Sequence, residues 1–411
     1  MQAAGLQRLL RVGDLCDVVL ANGERLLCQV VGVRRDASLL MAFGGTDGVT
    51  VGSQVEFHET RFGIRVSEGW VGRVIDAMGR PIDGRGPLPE GPFTTPLRNS
   101  PPPAYDRRLV GAPLKTGVRA IDLFTPICQG QRMGIFAGSG VGKSTLMSML
   151  ARSSAADVNV IGLIGERGRE VQEFLQRDLG EDGRARSIVV VATSDESALA
   201  RRQAAYLTLA AAEDQRKRGK QVFCMIDSVT RFAHALREIG LAAGEPPTAR
   251  GYPPTVFGEL AHLLERAGPG QGDQGDITLA AAVLIDGDDH DDPIADAVRG
   301  ILDGHIVLDR NIATRGRFPA INVLRSVSRM APDCYGDNSK AALVASAKRT
   351  MAAYQDKEDI IQIGLYRKGT EPMVDMAIEK HPRFEDLLRQ MRDETTPPEE
   401  AFQQLDEIVA A

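Results

Sequence analysis

The sequence predicts a multi-domain chain: a small N-terminal β-barrel, a central α/β domain built on a parallel sheet, and a C-terminal α-helical domain. Three observations carry that prediction. Short β-rich runs broken by turn pairs fill the first stretch, apolar runs of strand length alternate with longer helical stretches from Arg132, and strand signals fade beyond about Gly336. At 411 residues the chain exceeds what one hydrophobic core serves, so several domains are the natural division.

Between Val12 and Val66, the runs Asp17–Leu20, Leu26–Val33 and Gln54–Phe57 are separated by Asn22-Gly23, Gly44-Gly45 and Asp47-Gly48. Such pairs supply the positive φ that tight hairpins need, so residues 1–66 read as the barrel. Prolines crowd from Pro81 to Pro113 and include the Pro101–Pro103 triplet, which sits in neither helix nor central strand. An extended connection is expected there, within a second domain spanning 67–336. Its candidate strands are Met133–Ala137, Val158–Ile164, Ile188–Ala192, Val222–Ile226 and Leu279–Ile285, and Gly268–Asp276 reads as a loop. Residues 337–411 form the third domain, with amphipathic helices over Lys340–Tyr354, Arg383–Arg392 and Pro398–Val409.

Composition narrows the class. With 43% hydrophobic and 25% charged residues and a formal net charge of −6, the chain is an ordinary globular protein without the basic field that draws nucleic acid. No apolar run approaches the roughly 20 residues of a membrane span, and no apolar leader is seen at the start, so a cytoplasmic protein is the expectation. The cysteines Cys16, Cys28, Cys128, Cys224 and Cys334 are scattered without a C-x-x-C pair, a pattern that suits reduced thiols.

The chemistry begins at Ala137-Gly138-Ser139-Gly140-Val141-Gly142-Lys143-Ser144, which follows a predicted strand and precedes a helical run from Thr145. That is the context of a P-loop, so the central α/β domain is expected to be a P-loop nucleotide-binding domain, RecA-like in fold class. Glycines let successive backbone N–H groups turn toward phosphates, and the helix N-terminus adds partial positive charge. Gly138, Ser139, Gly140, Val141, Gly142, Lys143, Ser144 and Thr145 are therefore the candidate contacts to ATP. Lys143 supplies a full charge and Ser144 a hydroxyl for Mg²⁺. Ala137 stands where the common pattern has its first glycine, at a strand end where a methyl is tolerated.

A second apolar strand ends in Asp227, and a carboxylate at that edge can hold Mg²⁺ through its water shell. Taken alone, Asp227 reads equally well as a helix cap. Glu166, in Gly165-Glu166-Arg167-Gly168-Arg169-Glu170, lies just past another strand, where it can orient and deprotonate water. Spacing by itself favours a helix-start carboxylate paired with Arg169 or Arg167.

These motifs resemble the catalytic subunit family of rotary ATP synthases, and most closely the protein-export ATPases of flagella and type III secretion systems. The resemblance runs over essentially the whole chain. It includes Gly72-Arg73-Val74-Ile75-Asp76, Thr116-Gly117-Val118-Arg119-Ala120-Ile121-Asp122, Asp227-Ser228-Val229-Thr230-Arg231-Phe232 and Asp303-Gly304-His305-Ile306-Val307-Leu308. It implies that Glu166 activates the attacking water, that Arg167 approaches the γ-phosphate, and that Arg329, closing Ser326-Val327-Ser328-Arg329, is an arginine finger for the adjacent subunit. Phe318 is similar to the aromatic that packs on adenine, although a place in the core fits its residue type as well.

The implied assembly is a hexameric ring of identical subunits. Its implied partners are chaperone–cargo complexes, a central stalk protein, a regulator or stator protein and a membrane export gate, with peripheral association at the inner membrane. Tyr366-Arg367-Lys368-Gly369-Thr370-Glu371-Pro372-Met373 and Asp292-Pro293-Ile294-Ala295-Asp296 lean toward the flagellar branch. The acidic synthase loop that pushes the stalk has no counterpart near Arg389–Glu400. The barrel starts almost at Met1, where family members carry a further segment for regulator and membrane, so those contacts are the least expected. Rival readings are an injectisome ATPase, a rotary synthase catalytic subunit and a Rho-like RNA translocase. Asp286–Asp292 reads as a solvated loop rather than a calcium site, and Arg216–Lys220 as a solvated helix end.

Overall fold

A computed structural model describes residues 1–6, 9–58, 63–285 and 292–410. The first runs form a five-stranded antiparallel sheet in the order Gln2–Ala4, Ala37–Ala42, Arg25–Val33, Leu15–Val19, Val55–Phe57. Alternation along these strands turns Cys16, Val18, Cys28, Val30, Leu40 and Ala42 into a small separate core.

The central sheet has nine strands, ordered Val327–Ser328, Gly304–Leu308, Arg132–Ala137, Asp276–Leu284, Val222–Asp227, Val158–Glu166, Ser187–Thr193, Val74–Asp76, with Gly268–Pro269 paired to Asp276–Leu284. Within this sheet, among the described strands, only the pairs made by Val327–Ser328 and Gly268–Pro269 are antiparallel. The five predicted strands are the contiguous middle of this sheet. Apart from Asn159, whose amide donates to Ala151 O at 2.8 Å, they are apolar because helices cover both faces. One face meets the helices Ala198–Lys217, Val229–Ala243, Thr255–Leu264 and Pro293–Ile301. The other meets Arg119–Phe124, Lys143–Ser153 and the C-terminal helices.

Several expectations need correction. Gly268–Asp276 is a loop only between its ends, since both ends pair as strands. Arg216 is not solvated: its guanidinium is buried and donates to Arg266 O at 3.1 Å, because the helix end it occupies is roofed by the Arg266 turn. Arg266 in turn forms a fully buried pair with Glu213, with nitrogen to oxygen distances of 2.8 and 3.0 Å. The Asp286–Asp292 run lies outside the described residues except for Asp292, whose side chain caps the helix Pro293–Ile301.

Nor are all the thiols reduced. Cys128 and Cys334 form a disulfide across 206 residues, whereas Cys16, Cys28 and Cys224 are free and buried. The fold lays the short strand Ile127–Cys128 beside the helix Ala331–Tyr335, a proximity that linear spacing does not encode.

The C-terminal helices are Asn338–Gln362, Pro372–Leu388 and Pro398–Ala410. Asp337 caps the first through Ser339 N–H at 2.8 Å, and Pro372 opens the second where its missing N–H costs nothing. The helix predicted over Arg383–Arg392 starts earlier and stops at Leu388. What stops it is Arg119, whose buried guanidinium donates to Leu387 O at 2.7 Å and to the Arg389 carbonyl, satisfying carbonyls that a continuing helix would use. Gln390 completes the clip, accepting from Arg119 N–H at 2.9 Å and donating to Gly117 O at 2.7 Å.

Asp122 supports this clip from within. Its carboxylate accepts from Thr116 N–H, Thr116 Oγ1 and Gly117 N–H at 3.0, 2.7 and 2.9 Å. Burial outweighs these donors and pushes the carboxyl from 3.8 up to about 6. A folded-state pKa above the unfolded one means the folded protein binds the proton more tightly. The stability this group contributes is full below about pH 4 and is lost as pH rises through about 6, by roughly 2 kcal/mol between pH 4 and 7. Chemical denaturation across that window should show the loss in the parent chain and not in Asp122→Asn; parallel pH profiles would refute it.

Candidate active site

The P-loop strand Arg132–Ala137 delivers the chain to a turn in which Gly140 and Gly142 take φ of +76° and +93°, left-handed values that side chains resist. The helix Lys143–Ser153 starts directly afterwards with Gly142 as its N-cap residue, so its first amides lack helical acceptors and are available to phosphate. Ser144 is exposed at this start, whereas Lys143 is buried.

Lys143 faces two carboxylates. Its Nζ lies 3.2 Å from Glu166 Oε1 and forms a closer ion pair with Asp227 Oδ1. Burial by itself works against the ammonium, yet Asp227 and Glu166 together outweigh it and hold its pKa above the ordinary lysine value. The sheet explains the convergence. Strands Val158–Glu166 and Val222–Asp227 are parallel neighbours with Leu163 opposite Asp227, so both carboxylates leave at one edge. At Gly165, φ +72°, the register with Ser187–Thr193 shifts by a bulge that re-aims Glu166. A Cβ at Gly165 would also stand 2.7 Å from the Arg231 side chain.

The bland alternatives for both acids do not hold. Ser228, not Asp227, caps the helix Val229–Ala243, accepting from Arg231 N–H at 3.3 Å. Arg169 pairs with Glu173 at 3.0 Å and Arg167 with Glu170 at 3.5 Å, leaving Glu166 to Lys143. Arg167 is therefore not part of the cluster; its side chain is 81% exposed.

Phe318 does not belong to the core: it is 45% exposed, and its ring lies against the P-loop, 3.6 Å from where a Gly142 Cβ would stand. Arg329 is exposed just beyond the edge strand Val327–Ser328, its backbone N–H donating to Asp303 O at 3.0 Å. No side-chain partner holds it among the described residues, and it stands apart from Lys143 in the sheet order.

A hydroxyl and one carboxylate, Ser144 and Asp227, fit a Mg²⁺ ion that takes its remaining oxygens from phosphate and water. The described residues contain no cluster of three or more acidic, histidine or cysteine side chains that would bind a metal alone. Sequence reasoning missed Arg310, whose Nη2 donates to Ser139 O at 3.3 Å, and the Gly165 bulge; a glycine before the acid was the one available signal for the latter. No helix among the described residues is long and apolar enough to cross a membrane.

Comparison with known proteins covers nearly the whole chain. Residues 1–59 match the beta-barrel domain of the ATP synthase alpha/beta family, residues 117–328 its nucleotide-binding domain, and residues 337–407 the T3SS EscN ATPase C-terminal domain. The flagellum-specific ATP synthase of Caulobacter vibrioides is 52% identical over 410 residues, with 98% of this chain and 92% of that protein covered. The type 3 secretion system ATPase of Xanthomonas euvesicatoria is 45% identical, with 99% and 91% covered. A solved structure of the assembled ATPase EscN, from the type III secretion system of enteropathogenic E. coli, superposes with a TM-score of 0.91 at 40% identity, covering 97% of this chain and 95% of that one. EscN in complex with its central stalk EscO gives 0.88 at 39% identity, with the same coverage of 97% and 95%.

Proposed function

Because the chain belongs to the ATP synthase alpha/beta family, in its flagellar and type III secretion ATPase branch, we propose that it hydrolyses ATP as one subunit of a homohexameric ring that energises protein export. Flagellar components are the cargo we favour, since the flagellar relative shares 52% identity against 45% for the secretion relative. The observation that carries the reading is the Lys143 ammonium held between Glu166 and Asp227 behind the P-loop glycines.

ATP enters between neighbouring subunits, and the amides from Gly138 to Thr145 receive its phosphates. Lys143 leaves the carboxylates for the triphosphate, which frees Glu166 to accept a proton from the attacking water at its carboxylate oxygen. Ser144 and Asp227 would hold Mg²⁺, which when bound would supply positive charge against the triphosphate. Arg329 extends from the neighbouring subunit to the γ-phosphate, and Arg167 turns from Glu170 toward it once the nucleotide is in place. Phe318 offers its exposed ring to adenine.

We assign residues 1–66 to ring-forming barrels, 67–336 to the ATPase domain and 337–411 to helical domains that move as the sites cycle. That motion releases and unfolds cargo from its chaperones, with a central stalk, a regulator and the export gate as further partners at the inner membrane.

The test is phosphate release by the purified chain with Mg-ATP, followed by affinity purification from its native cell. The reading expects hydrolysis, a ring of one subunit type, and chaperone-bound export cargo. Hydrolysis that depends on RNA, or copurification with an unlike noncatalytic ring subunit, would replace it with a translocase or a rotary synthase.

A further inference from the structure

Segment 309–318 lies between the P-loop and the C-terminal helices and touches both. On the P-loop side it offers Arg310 to the Ser139 carbonyl and the Phe318 ring to Gly142. On the other side Arg317, only 4% exposed, sets Nε 3.0 Å from Glu385 Oε2 in the helix Pro372–Leu388. Arg317 Nη2 also donates to Ile321 O at 3.1 Å, spanning the turn that carries Phe318. Gln390, just past the same helix, donates its backbone N–H to Phe318 O at 2.8 Å.

An exposed ring cannot hold its own segment in place by burial, so its neighbours decide where Phe318 stands. A buried guanidinium, by contrast, keeps its place only while its charge is matched. We propose that Arg317, held by Glu385, is a positioning residue that fixes Phe318 beside the P-loop, so that the C-terminal helices set the affinity for nucleotide. The inference rests on the reading that Phe318 stacks on the base. Loosening the Arg317–Glu385 pair lets the ring drift from the base plane and removes stacking from binding without touching the groups that perform hydrolysis.

The experiment titrates ribose-labelled fluorescent ATP into the full-length chain and measures steady-state hydrolysis alongside. Glu385 is 34% exposed, so Glu385→Gln removes its charge without opening the core. Expected is a rise of about 3- to 10-fold in Kd and KM with the change absent from kcat. Phe318→Ala should weaken binding by about tenfold, and the double variant should be no weaker than Phe318→Ala alone, because both changes remove one interaction. Exchanging the pair, Arg317→Glu with Glu385→Arg, should recover part of the affinity.

If Glu385→Gln binds like the parent while Phe318→Ala weakens, the positioning role falls and the stacking reading stands. If Phe318→Ala itself binds like the parent, stacking falls and takes the inference with it. Losses that add in the double variant would also overturn it, and a parallel drop in kcat and thermal stability would reduce the pair to scaffolding.

Discussion

Replacing Arg329 with alanine should lower ATP turnover by about 10³-fold or more and leave nucleotide binding intact. The reason is the charge available within one subunit. Lys143 brings one positive charge to a site that already holds the two carboxylates Glu166 and Asp227. The transition state spreads additional negative charge over the γ-phosphoryl oxygens, and beyond Lys143 the structure sets no second cation beside them, Arg167 being paired with Glu170, so further positive charge has to be brought in. Arg329 is exposed, lacks a side-chain partner among the described residues, and is fixed at its backbone by the Asp303 carbonyl. Phosphate release at saturating ATP measures the loss, and a fluorescent nucleotide checks binding. Mixing Arg329→Ala subunits with Glu166→Gln subunits separates trans from cis action. In trans, some junctions pair an intact Glu166 with an intact Arg329, so the mixture regains activity that neither variant has alone. A mixture as inert as its parts, or a single variant with near-normal turnover, would remove Arg329 from the mechanism.

Glu166→Gln should lower turnover by about 10²- to 10⁴-fold, the range a positioned general base contributes. Binding should move the other way. Glu166 is one of two acids competing with phosphate for Lys143, and the neutral amide weakens that competition. A lower Kd together with lost turnover therefore distinguishes Glu166 from a group that merely maintains the fold. Turnover within tenfold of the parent would mean that water is activated by another residue.

Local features were legible in the sequence. The P-loop is contiguous, so Gly138 to Ser144 announce both a backbone shape and a charge, and Asp227 is marked by the apolar strand before it. Glu166 was legible only through resemblance, because its spacing suits a pair with Arg167 or Arg169, and a bulge at Gly165 decides otherwise. Strands Val74–Asp76 and Gly304–Leu308 carried no strand signal of their own, since a short run at the flank of a sheet has too little apolar length. The helix end at Leu388 was hidden because the residue that stops it, Arg119, lies 268 positions away from the carbonyl it meets. The Cys128–Cys334 bond was hidden for the same reason. Phe318 illustrates a different limit: residue type cannot separate a core ring from a solvent-facing one, and only the folded surface does.

The Lys143 ion pairs have a consequence for which anions the site accepts. With its ammonium engaged by Asp227 and Glu166, the pocket presents no surplus of positive charge behind its glycines, so a lone inorganic phosphate finds little to hold it. A visitor must bring enough contacts to prise the lysine away, which favours a long triphosphate whose charge is already offset over the small anion left after cleavage. Once that anion loosens, the two acids reclaim the lysine, and the pocket resets itself by competition from within.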